Sequence, residues 1–155
     1  SGILIPEKGT ISLYSKKLAY VGATPLIVNG TLRENVLYGN DLKIEDNLIL
    51  ELAESFKLFE KTEELDLDKQ ITNKSLSSGQ MQKVSFIRAI LSKPDILILD
   101  ESTSNLDFDS RQIVKNQLKN LQLTIINSTH NSDEVEYDIK LHIEVNKGLR
   151  VVSAT

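Results

Sequence analysis

The run Ile96-Leu-Ile-Leu99 sets four aliphatic side chains in a row and then meets two carboxylates, Asp100 and Glu101. A continuous apolar run of this length, rather than an alternating one, is what a strand buried on both faces requires, and such strands belong to parallel sheets. The flanking sequence supplies helices on either side. Upstream, Gly79 to Leu91 puts Met81, Val84, Ile87 and Leu91 on one helical face, and Pro94 blocks continuation. Downstream, Asp109 to Leu121 reads as a helix facing inward through Ile113, Val114, Leu118 and Leu121. A further buried strand follows at Leu123-Thr-Ile-Ile126. Strand–helix–strand order with short links predicts an α/β fold, a parallel sheet covered by helices.

Thr10-Ile-Ser-Leu-Tyr14 and Leu18-Ala-Tyr-Val21 have strand length and follow a turn signal at Gly9. From Ile44 to Phe59 the residues Leu48, Leu52, Phe56 and Phe59 keep helical spacing, with Ile49 and Ala53 widening the stripe. Lys61 to Ser78 is polar and irregular and reads as loop. Residues from about 35 to 78 are therefore expected to form a helical side lobe, and 79–155 to carry the sheet. Near the end, Lys140 to Val145 and Leu149 to Val152 flank Asn146-Lys-Gly148 as a hairpin would.

Composition removes several classes of function. At 155 residues and 40% hydrophobic, the chain fits one domain with a core. No apolar run approaches the ~20 residues of a membrane span, and the N-terminus lacks the pattern of a signal peptide. With no cysteine there are no disulfides or thiolate metal sites, which suits the cytosol. A net charge of -4 argues against a nucleic-acid partner, since phosphate contacts want a basic face.

Chemistry concentrates in two places. In open α/β sheets the ligand crevice lies beyond the carboxyl ends of the strands, so Asp100 and Glu101 would point at a bound ligand. Alone, such a pair is more often two solvated acids capping the next turn, and what reverses that balance is the stretch one helix upstream. That stretch is Leu76-Ser-Ser-Gly-Gln80. Ser77 with the amides of Ser78 and Gly79 would sit at a helix start, where unpaired N–H groups and the dipole favour phosphate. The pentapeptide by itself is also a plain serine N-cap. Ser104-Asn-Leu-Asp107 follows the acids, with Asp107 placed to cap the next helix. His130 comes just after the strand ending at Ile126, while His142 lies in a late strand and reads as structural.

Taken in order, these elements resemble the nucleotide-binding domain of ABC transporters: a signature sequence, a Walker B strand, a D-loop and a switch histidine. Asn29-Gly-Thr-Leu-Arg-Glu-Asn35, within Ala19 to Gly39, resembles the exporters in particular. The chain departs from the family at Ser78 (usually glycine), at Asn105 (usually alanine) and at Ala23, which holds the place of the Q-loop glutamine. The glycine- and glutamate-rich stretch of exporters is not recognisable in Lys69 to Lys74.

The resemblance implies a P-loop NTPase-like fold and ATP with Mg²⁺ as cofactors. Asp100 would hold magnesium-bound water and Glu101 would orient or deprotonate the attacking water. His130 would contact the γ-phosphate. Ser77, Ser78, Gly79 and Gln80 would meet a nucleotide across a dimer, and Asp107 would link its halves. The partners implied are a transmembrane domain and a second nucleotide-binding domain, identical or not, at the cytoplasmic face of the membrane. No Gly-x-x-x-x-Gly-Lys-Ser/Thr loop occurs in the sequence, so the expected fold is incomplete at its N-terminus, with apolar sheet edges exposed. Two alternatives stay open: a non-catalytic half supplying the signature in trans, and a soluble ABC protein.

Overall fold

A computed structural model describes residues 10, 12, 15, 17–60, 65–129, 137–146 and 149–154. In chain order it contains β1 (Leu18–Gly22), β2 (Gly30–Thr31), α1 (Leu32–Val36), α2 (Asp46–Ser55), β3 (Gln70–Ile71) and α3 (Ser78–Leu91). Then follow β4 (Ile96–Asp100), α4 (Phe108–Lys119), β5 (Thr124–Ser128), β6 (Leu141–Asn146) and β7 (Leu149–Ala154). The expected parallel sheet forms from β1, β4 and β5 in the order β1-β4-β5. Its register aligns the three carboxyl ends, with Gly22 opposite Asp100 and Asp100 opposite Ser128. Asp95 starts the ladder on both sides. Its amide donates to the Lys17 carbonyl at 2.9 Å, and its own carbonyl accepts the Thr124 amide at 3.1 Å.

Burial within the sheet differs from the sequence expectation. In β4 only Leu97 and Leu99 are fully buried, while Ile96 and Ile98 are half-covered. All five residues of β5 are exposed, Ile126 to 54%. An apolar run announces a strand but not what covers it. Among the described residues, β5 pairs only with β4 and forms an edge of the sheet. The hairpin expected near the end is β6 against β7, antiparallel, with Asn146 opposite Leu149. Of the first expected strand, Thr10 and Ser12 have no regular structure, and the rest lies outside the described residues.

The α3 helix is enclosed far more completely than a one-faced pattern suggests. Every residue from Gln82 to Ile87 is buried, against β1 on one side and α1 and α2 on another. Phe86 stacks on Phe56 with ring centroids 6.3 Å apart. The α2 helix ends before the apolar stripe does. The backbone turns left-handed at Lys57 (φ 46°), which lets Leu58 fold back into the core. In the stretch expected to form a helical lobe, the described residues hold the end of α1, all of α2 and the two-residue β3.

Polar side chains on an enclosed helix must find partners, and backbone carbonyls supply them. Lys83 Nζ donates to the Lys57 carbonyl at 2.9 Å, so it caps the end of α2. Arg88 donates from Nε to the Asn35 carbonyl at 2.7 Å and from Nη2 to the Leu26 carbonyl at 2.9 Å. Its guanidinium also lies 5.7 Å from the Tyr38 ring centroid. Desolvation lowers the pKa of both cations. Asn35, itself fully buried, closes the same region by bonding the Val28 amide and the Val28 and Thr31 carbonyls.

Arg88→Lys should therefore not be a conservative change, because an ammonium cannot reproduce a planar fork aimed at two carbonyls. We expect a loss of about 2–3 kcal/mol in unfolding free energy, read from the urea midpoint. A midpoint equal to that of the parent would mean the fork contributes nothing.

Candidate functional site

The aligned strand ends place several chemistry-bearing groups together. Asp100, the last residue of β4, is exposed, and its Oδ2 accepts the Tyr20 hydroxyl at 3.2 Å. Partial desolvation, and then the Asp100 carboxylate, raise the pKa of that phenol. Gly22 makes room for the ring: a Cβ there would lie 2.7 Å from the Tyr20 hydroxyl oxygen. The next residue, Glu101, is half-buried and has φ 51°, the left-handed region that glutamate rarely adopts. Such a conformation costs roughly 1–3 kcal/mol and persists where surrounding structure imposes it. Here the Glu101 amide is tied to the Ser128 carbonyl at 2.9 Å.

The Leu76–Gln80 segment forms the start of α3 as a closed capping box. Ser77 Oγ accepts the Gln80 amide at 3.2 Å, and Gln80 Oε1 accepts the Ser77 amide at 2.9 Å. The first helical residues, Ser78 and Gly79, lie outside that reciprocal pair, with their amides at the positive end of the helix. Because Ser77 Oγ acts here as acceptor, its hydroxyl proton is still available to a ligand. Gly79 lies beside the loop that follows β4, since a Cβ on it would come 3.8 Å from Leu106 Cδ2. Within that loop Asp107 caps α4 by accepting the Ser110 amide at 2.7 Å, and this bond holds its carboxyl below the usual range. The structure thus gathers Asp100 at the end of β4 with Glu101 and Asp107 on the loop that follows, and with the α3 start beside it. His130 lies outside the described residues.

The residues in place fit a magnesium ion that arrives with a nucleotide. Among the described residues no three metal-ligating side chains converge. Magnesium needs no such cage, because it keeps several waters and is held by one or two carboxylates plus substrate phosphates. An exposed Asp100 at a strand end matches that demand.

Residues 1–104 match the family model described as ABC transporter. The chain belongs to the ABC transporter family. Domains of this family bind ATP and act as ATPases as a class. Among curated proteins the chain is 38% identical to the ATP-dependent permease MDL1 of Candida albicans, over 84% of this chain and 23% of that protein. It is 33% identical to the sublancin-168-processing and transport ATP-binding protein SunT of Bacillus subtilis, over 85% of this chain and 19% of that one. Thus the chain spans less than a quarter of these relatives. A solved bacterial Atm1-family ABC exporter with ATP bound has the same fold, with TM-score 0.72, 23% identity, and coverage of 81% of this chain and 23% of that one. The exporter-like ABC domain expected from Asn29 to Asn35 is therefore what the relatives show. No helix among the described residues is long and apolar enough to cross a membrane.

Sequence reasoning missed three groups around this site. Tyr20 looked like a strand residue and nothing more. Gln82 lies between Met81 and Lys83 on α3 and donates from Nε2 to the Gly22 carbonyl at 2.9 Å. Asn105 donates from Nδ2 to the Ala23 carbonyl at 2.8 Å. Gln82 stands in a mixed stretch, Gln80-Met81-Gln82-Lys83, that carries no signal of its burial. For the other two, partners 80 or more residues away in sequence gave none either.

The left-handed backbone of Glu101 makes a separable prediction. Glu101→Gly should raise the unfolding free energy by about 1 kcal/mol in urea titration, and Glu101→Val should lower it, because β-branching disfavours positive φ. If both variants unfold like the parent, no strain is stored at this residue.

Proposed function

We propose that this chain supplies the signature, the acid pair and the D-loop of an ATP-binding and hydrolysing module that powers an exporter-type ABC transporter. The observation that carries the reading is the arrangement at the sheet's carboxyl edge, where Asp100 ends β4, Glu101 and Asp107 lie on the loop that follows, and the capped start of α3 adjoins it. In this reading Asp100 would hold the waters of a nucleotide-bound Mg²⁺, and that ion would supply neutralisation of charge on the phosphates. Glu101 orients the attacking water and accepts its proton, and His130 contacts the γ-phosphate. Ser77 and the amides of Ser78 and Gly79 donate to the γ-phosphate of a nucleotide held by a second nucleotide-binding domain. Gln80 closes the cap that presents them, and Asp107 joins the two halves.

The phosphate loop that completes the site is not among these 155 residues, so we expect no ATP hydrolysis from them alone. Relatives named as permeases and transport proteins support a transmembrane domain as partner, at the cytoplasmic face of the membrane. Ala23 and Ser78 favour a second reading, a half that binds in trans without turning over.

Glu101→Gln in the assembled transporter separates the two. We expect turnover at least ~100-fold slower with nucleotide binding retained, as loss of a general base predicts. Near-normal turnover would move catalysis off this chain and favour the second reading.

A further inference from the structure

The turn from Glu101 to Asp107 carries both acids of the proposed site that follow β4, yet its own backbone does little to hold it. Its internal bonds are local, from the Ser104 amide to the Glu101 carbonyl at 3.1 Å and from the Leu106 amide to the Thr103 carbonyl at 3.1 Å. A strained glutamate at its head would relax unless neighbouring structure prevented it. Two straps do so, one from each flanking strand. On the β5 side the Ser128 carbonyl accepts the Glu101 amide. On the β1 side the Ala23 carbonyl accepts the Asn105 side-chain amide at 2.8 Å. The register makes the straps converge, since Gly22 and Ser128 both stand opposite Asp100. The β1 anchor is itself fixed, because Gln82, with no exposed surface, holds the preceding carbonyl of Gly22.

We propose that Asn105 is a positioning residue for Glu101: its amide, bonded to the Ala23 carbonyl, holds the 101–107 turn in the strained conformation that presents the Glu101 carboxylate. This rests on the ATPase reading above for its consequence, though not for its geometry. Asn105 touches no nucleotide in this account and acts only through the turn. Ala23 contributes a backbone carbonyl, so its side chain is not required. A side chain without an N–H donor at 105 cannot make the strap. Aspartate is worse than alanine, because it sets a carboxylate against a carbonyl with no proton between them.

Two measurements on Asn105→Ala, Asn105→Asp and Asn105→Gln test this. Amide exchange by NMR on the chain itself reads the turn. The Glu101 amide should exchange about 10-fold faster in the alanine and aspartate variants, while the amides of Leu97 and Leu99 in β4 keep parental protection. ATP turnover in the assembled transporter should fall about 10-fold or more in kcat, with KM for ATP within about 2-fold, as expected for a displaced catalytic group. The glutamine variant keeps the donor and should recover part of both. Unchanged exchange at Glu101 overturns the strap. Faster exchange with unchanged kcat overturns the positioning role. A parental transporter that hydrolyses no ATP sinks the underlying reading instead, and the exchange result then still decides whether Asn105 holds the turn.

Discussion

The alignment of three parallel strand ends is the constraint on which the rest depends. Parallel pairing of β4 with β1 and with β5 sets Gly22, Asp100 and Ser128 side by side. Each then does something its neighbours need. Gly22 leaves space for the Tyr20 ring that reaches Asp100, and Ser128 offers the carbonyl that fixes Glu101. A slip of one residue in either pairing would turn the side chains to the opposite face and separate these groups. The arrangement at this edge is thus a consequence of register. The ladder sets that register from its far end, where Asp95 bonds both neighbouring strands.

The second support is α3, which does two jobs that pull in different directions. Its N-terminus must stay accessible if Ser77 to Gly79 are to meet a phosphate, while its middle must be buried to anchor that end. The capping box satisfies the exposed end without apolar contact. Further along, Gln82, Lys83 and Arg88 spend their donors on carbonyls of β1, of the end of α2, and of the Leu26 and Asn35 segments. These bonds are directional where apolar packing is not, so they fix the rotation of the helix as well as its place. The signature end is thereby tied to the strand that precedes Ala23.

Much of this was legible in the residues. The aliphatic run before Asp100, the Leu76–Gln80 segment and the intervening helix gave the parallel sheet and the family, because order and spacing survive in sequence. The capping roles of Ser77 and Asp107 were legible for the same reason, being local in sequence. What escaped was everything set by distant contact. The exposure of β5 depends on what covers the sheet, which Leu123 to Ile126 do not encode. The face read for α3 is buried through Val84, Ile87 and Leu91, but the enclosure of Gln82, Lys83, Ser85 and Phe86 around the rest of the helix depends on distant partners that periodicity cannot see. The left-handed backbone at Glu101 has no signature either, since sequence marks such positions mainly by glycine or asparagine.

In the proposed function, one nucleotide site is built from two subunits, with Ser77 acting across the interface from Glu101. Intersubunit complementation measures this directly. One subunit carries Ser77→Arg, the other Glu101→Gln, and ATP turnover is followed in a transporter assembled from both. If Ser77 serves the partner's site, each mixed pair keeps one intact site and loses the other. Random association should then restore roughly a quarter of the parental rate, although either variant alone is inactive. A mixture as inactive as the separate variants would place Ser77 and Glu101 in the same site on one subunit and contradict a site shared between subunits.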